Sequence, residues 1–106
     1  MFNGLPDDLV TAQSKGLAPW TNPIREDFHV AVFAAEHPVM PGHLLFVPKY
    51  ATMNVLEDAL TDALNWGDDM IASGLADGVH IGINIGAAAG QNTPWPHVFM
   101  IPRVDE

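Results

Sequence analysis

One stretch near the middle of the chain limits the folds open to it more than any other. In TMNVLEDALTDALNWGDDMIASG, residues 52–74, apolar Leu56, Ala59, Leu60, Ala63, Leu64, Gly67 and Ile71 recur at spacings of three and four. That period predicts one amphipathic helix with a single apolar face. Glu57, Asp58, Asp62, Asp68 and Asp69 fall mostly on the other side as a solvated face, and Gly74 is a plausible stop. The other apolar stretches are short and β-rich: FHVAVFAA at 28–35, GHLLFVPKY at 42–50, GVHIGINIG at 78–86 and HVFMIPR at 97–103. HPVMPG supplies a turn between the first two, which predicts an antiparallel hairpin. The order β-β-α-β-β predicts an α+β domain, an antiparallel β-sheet packed by one long helix. Residues 1–26, with Pro6, Pro19 and Pro23, read as a loosely structured N-terminal segment of the same domain, with one short helix near 7–13. Residues 27–106 carry the rest of the domain.

Charge narrows the partners. Lys15, Arg25, Lys49 and Arg103 are the only fixed cations against thirteen carboxylates, for a net charge of -9. Such a surface repels nucleic-acid backbone and anionic lipid, which argues against a nucleic acid polymer or a membrane as partner. A small phosphate-bearing ligand stays open, because backbone amides bind anions without lysine or arginine. With no cysteine there is no disulfide, thiolate nucleophile or cysteine-held zinc. The opening MFNGLPDDLV has no basic segment followed by an apolar run, and no later stretch reaches about eighteen apolar residues. The expectation is a cytoplasmic domain.

The chemistry concentrates in TPWPHVFMIPR, residues 93–103. A strand there puts Trp95, His97, Phe99 and Ile101 on one face, with Val98 and Met100 on the other. Pro94 and Pro96 cannot donate ladder hydrogen bonds, so the stretch before His97 is expected at a sheet edge or bulge. A lone histidine on such a face is either a hydrogen-bonded sheet residue or a tuned reactive group. Upstream, GINIGAAAGQN is either a flexible connection or a loop of backbone amides facing a phosphate, helped by the side chains of Asn84, Gln91 and Asn92. His29, His37 and His80 fit no metal-ligand spacing, so no metal and no cofactor are expected. Trp20 and Trp66 suggest no role.

Taken in order, HPVMPGHLLFVPK, a helix, and INIGAAAGQNTPWPHVFMIPR resemble the histidine triad (HIT) family of nucleotide hydrolases and transferases, over residues 24–103. The family pattern has histidines at three alternate positions, the middle one the nucleophile. Here those positions hold Trp95, His97 and Phe99, so the resemblance implies His97 as nucleophile with both flanking histidines replaced. It implies that His43 is the additional family histidine. Asn84 and the Gly90-Gln91-Asn92 run then contact the phosphate or hold the loop around it, and Phe33 lines a base pocket. The aspartate that holds ribose in relatives is Ala35 here, and Glu36 beside it would face the other way on a strand. A homodimer is expected, because relatives commonly pair through the long helix and an edge strand.

A histidine nucleophile must be neutral, with one nitrogen free and the other held by an acceptor. Trp95 and Phe99 reduce water access, and desolvation disfavours the imidazolium. Their lack of acidic protons removes a leaving-group donor, a loss of roughly 10²- to 10⁴-fold. The resulting expectation is a weak, phosphoramidase-like hydrolase or nucleotidyl transferase acting on a nucleotide or small phosphate ester. The alternatives are a non-catalytic binding module and a structural or assembly protein that uses the fold alone.

Overall fold

The computed structural model describes residues 1–105. Helix α1 spans Leu9–Ser14, followed by strands β1 (Arg25–Glu26), β2 (Val30–Ala34) and β3 (Leu44–Pro48). Helix α2 (Met53–Ala72) precedes strands β4 (Gly78–Gly82) and β5 (Val98–Arg103). The strands form one antiparallel five-stranded sheet in the order β1-β2-β3-β5-β4. This is the α+β arrangement expected, with α2 laid across one face of the sheet.

Helix α2 begins where Thr52, extended at φ -132, accepts a hydrogen bond from Val55 N–H at 3.3 Å. Leu56, Ala59 and Ala63 then pack on Val30, Val32, Leu44, Phe46, Val98 and Met100. The sequence makes the apolar stripe too wide: Leu64 is 50 % exposed and Ile71 42 %. Gly67 marks the closest approach of helix to sheet. A side chain there would begin 2.8 Å from Val79 Cγ2. Trp66, on the same helix, packs edge-on to Phe46 at 5.8 Å and lies under the Arg25 guanidinium at 5.8 Å.

The N-terminal segment is not loose. Asp8 caps α1 by accepting from Thr11 N–H at 2.8 Å, and that hydrogen bond holds its carboxyl below the usual range. Leu9, Ala12 and Ala18 are buried against Ala31, Phe33, Val47 and Trp95 on the sheet face opposite α2. The middle of the sheet is therefore covered on both faces, and β2 is buried at four of its five residues. Strand β2 starts later than expected because Asp27 Oδ1 accepts from both His29 and Val30 N–H, closing a turn that ties β2 to the short edge strand β1. Strand β4 ends at Gly82, and the chain leaves the sheet before the glycine loop. Strand β5 is central, not an edge. Pro94 and Pro96 are accommodated because the ladder begins only at Val98, opposite Phe46. No helix among the described residues is long and apolar enough to cross a membrane.

Candidate functional site

The alternation expected along the last strand holds. Val98 and Met100 face α2, while Trp95 lies in the opposite core and His97, Phe99 and Ile101 line a hollow of about 410 Å³. Trp95 is fully buried, with its indole N–H donating to the Pro48 carbonyl at 2.9 Å and its backbone N–H donating to Leu17 at 3.2 Å. It is a structural anchor, set directly behind the histidine.

His97 Nδ1 lies 3.4 Å from the carbonyl oxygen of Trp95. A carbonyl only accepts, so Nδ1 carries the proton and the Nε2 lone pair is left free. Burial pushes the His97 pKa down; the Trp95 carbonyl opposes this, and the charge His43 would carry adds to it. His43 lines the same hollow and has the opposite arrangement. Its Nδ1 accepts from Val39 N–H at 3.2 Å, so its proton sits on Nε2. Burial lowers its pKa too. One neutral imidazole thus offers a lone pair and the other an N–H.

Asn84, Gly90, Gln91 and Asn92 all line the hollow, and several of the loop's main-chain amides are turned inward. The N–H groups of Ala89 and Gln91 donate to Gly86, and that of Gly90 to Ala87. Gln91 is used up in bracing the loop. Its side-chain oxygen accepts from Gly86 N–H at 2.8 Å, and its amide donates to Thr93 and Pro94 carbonyls at 2.9 and 3.2 Å. Gly90 turns the chain at φ 94, and a side chain there would start 3.6 Å from Asn84 Nδ2. Among the described residues no lysine or arginine lines the hollow. Side-chain donors lining the hollow include the Asn84 and Asn92 amides, His43 and the Trp20 indole.

One expectation needs correction. Strand β2 ends at Ala34, so Glu36 is not held on a strand and lines the hollow together with Ala35. A carboxylate is therefore present although the residue at 35 lacks one. Phe33 is buried in the second core and lines a separate hollow of about 940 Å³ that also includes Phe28, Lys49 and Tyr50. Trp20 stands between, with ring centroids 6.2 Å from Phe33 and 4.8 Å from His97, the latter edge-on. Trp20 and His37, which also lines the His97 hollow, are the site residues that sequence reasoning missed. An aromatic residue among the prolines and polar residues of PWTNP was the available signal. Among the described residues no group of three or more histidine or acidic side chains is arranged to hold a metal ion.

Comparison with known proteins agrees with this fold. The sequence model of the HIT domain matches residues 21–106. The chain is 34% identical over 80 residues to the bis(5'-nucleosyl)-tetraphosphatase [asymmetrical] of Schizosaccharomyces pombe, covering 69% of this chain and 44% of that one. It thus spans less than half the length of that curated relative. Among solved structures, a zinc-bound histidine triad family protein from Mycobacterium smegmatis superposes with a TM-score of 0.72 at 27% identity, over 78% of this chain and 66% of that one. A Hit-like protein from Bartonella henselae shares the fold at a TM-score of 0.73 and 22% identity, over 99% of this chain and 83% of that one.

Proposed function

The chain belongs to the HIT domain family, and from that premise we propose that it binds a nucleotide or small phosphate ester over His97 and cleaves it slowly with His97 as nucleophile. The observation that carries this is the His97 Nδ1 contact with the Trp95 carbonyl, which leaves Nε2 free in a hollow. The contact is to main chain, so exchanging the side chain at 95 leaves it intact. The Nε2 lone pair forms the bond to phosphorus while the bond to the leaving group breaks, its electron pair departing with that group. The ring becomes a phosphoimidazolium whose Nδ1–H still donates to Trp95. Water then attacks phosphorus as the P–N bond breaks, its proton passes to solvent, and Nε2 returns to the free base.

Phe99 has no proton to give, so the leaving group must be a stable anion already. Phosphoanhydrides and fluorophosphates should react faster than phosphoramidates of ordinary amines. Adenosine 5′-phosphorofluoridate, followed by fluoride release and intact-protein mass, tests this, with His97→Ala as control. The second reading, a binding module without turnover, is favoured by the lack, among the described residues, of any lysine or arginine around the hollow.

A homodimer is proposed as well. Strand β4 is a sheet edge, and Leu64 and Ile71 on α2 are exposed. Pairing two copies there would extend the sheet and cover these side chains. Light scattering at tens of micromolar should then show about twice the 11.5 kDa of one chain.

A further inference from the structure

Two hollows lie on the same side of the sheet, and Trp20, which lines the smaller, packs against Phe33 of the larger. Phe33 and Ala35 lie two residues apart, Phe33 on the β2 face turned away from α2, about 7 Å from Ala35 at the strand's rise. Phe33 belongs to the 940 Å³ hollow and Ala35 to the 410 Å³ hollow that holds His97. The Trp20 indole contacts the ring of Phe33 on one side and that of His97 on the other.

The segment that carries Trp20 is pinned at both ends. Trp95 N–H donates to the Leu17 carbonyl at 3.2 Å, and Ile24 N–H donates to Val32 at 2.8 Å. Gln13 Nε2 holds the Trp20 carbonyl itself at 2.9 Å. Asn22, at φ 59, turns the chain back toward β1. Between these anchors the indole has a fixed place.

The larger hollow has the walls a flat ring would need: Phe28 and Tyr50 as aromatic surface, with Gln13, Thr21 and Asn22 as hydrogen-bonding groups. Because the Trp20 indole lies against both His97 and Phe33, a ligand whose phosphate sits at His97 would meet it before its ring reached the space beside Phe33. We infer that Trp20 is a specificity-determining residue that keeps the His97 hollow a small compartment, closed to the space beside Phe33. The ring of a nucleotide is then left at the open mouth, where it gains little over a ligand without one. The inference rests on reading the His97 hollow as the phosphate site.

Titration calorimetry with AMP and ribose 5-phosphate, which differ only in the base, tests it on wild type, Trp20→Leu and Trp20→Ala. Wild type should bind the two within about threefold, and Trp20→Ala should shift the ratio toward AMP by about tenfold. Trp20→Leu, which keeps apolar bulk in the second core, should fall between, and thermal melts confirm that each variant is folded. An unchanged ratio overturns the inference. A shift toward ribose 5-phosphate also overturns it, because Trp20 is then a platform on which the base stacks. Binding does not require His97 chemistry, so a failed cleavage assay leaves this result readable. Loss of all binding in every protein would remove the phosphate site and the inference together.

Discussion

His97 and His43 face one hollow with their protons on opposite nitrogens: Nδ1 of His97 points to the Trp95 carbonyl, and Nδ1 of His43 accepts from Val39 N–H. Main-chain groups fix both tautomers. The pair therefore survives the exchange of the two flanking triad histidines for Trp95 and Phe99.

Stability should depend on pH through these two rings. Burial lowers both pKa values from the ordinary 6.5. Between the lowered folded value and 6.5 the unfolded chain binds more protons, so folding stability rises with pH there. The contribution is fully present above 6.5 and is lost as pH falls through the folded values. Urea midpoints should drop between pH 7.5 and 5, and the drop should shrink in His97→Asn. Asp8 and Asp27 act in a separate window, since their lowered carboxyl pKa values make their contribution fade only below about 3.8. An equal pH 7.5-to-5 drop in His97→Asn would contradict the account.

Gln91→Ala should separate loop order from fold. It removes one acceptor and two donated bonds, at about 1 kcal/mol each or less for a partly exposed group. Melting should change by only a few degrees, while labelling of His97 slows by about tenfold as the loop beside it loosens. Unchanged labelling would show that the loop plays no part in the site.

Glu36 should supply the sugar preference that Ala35 lacks. A carboxylate beside a ribose diol rejects the deoxy analogue, because its hydrogen bond is then unmade. Wild type is expected to bind AMP more tightly than deoxy-AMP, and Glu36→Ala should bring the two within about twofold. Equal discrimination in both proteins would place the sugar elsewhere.

Gly67→Ala should destabilise the protein although alanine is the better helix former. The gain in helix propensity is about 1 kcal/mol. The new Cβ would stand 2.8 Å from Val79 Cγ2, on a β-branched side chain with little freedom to move. Overpacking of this kind costs about 1–3 kcal/mol, so the melting temperature should fall by several degrees. A rise would mean that α2 and β4 are less closely packed than described.

The parts of the fold legible in the sequence are those whose residues alternate or recur over many positions. The β2–β3 hairpin, α2 and β5 carry enough apolar residues in period for this. Strand β1 has only Arg25 and Glu26, both polar and exposed, so nothing marks it. The N-terminal segment hides its packing because buried Leu9, Ala12 and Ala18 are interspersed with polar residues, a glycine and the exposed Val10. In the site, His97 and the glycine loop stand out in the sequence itself, whereas His43 is reached only through the family resemblance. Glu36 was misread because the strand was extended past Ala34. Trp20 reaches His97 across seventy-seven residues of chain (97 minus 20), a contact no local pattern encodes. The inward bonding of Gln91 depends on the loop's own turn at Gly86 and Gly90, which spacing alone does not specify.

The nucleophile itself is tested most directly by intact-protein mass spectrometry after mixing with adenosine 5′-phosphorofluoridate at neutral pH, with peptide mapping of the adduct. With Trp95 and Phe99 at the flanking positions, no imidazole two residues either side of His97 activates water, so the adduct should outlast its formation and be caught. The account predicts one adenylyl addition on the peptide containing His97, fluoride released in step with it, and neither in His97→Ala. Fluoride released at equal rates by wild type and His97→Ala, or an addition on any other residue, would contradict it.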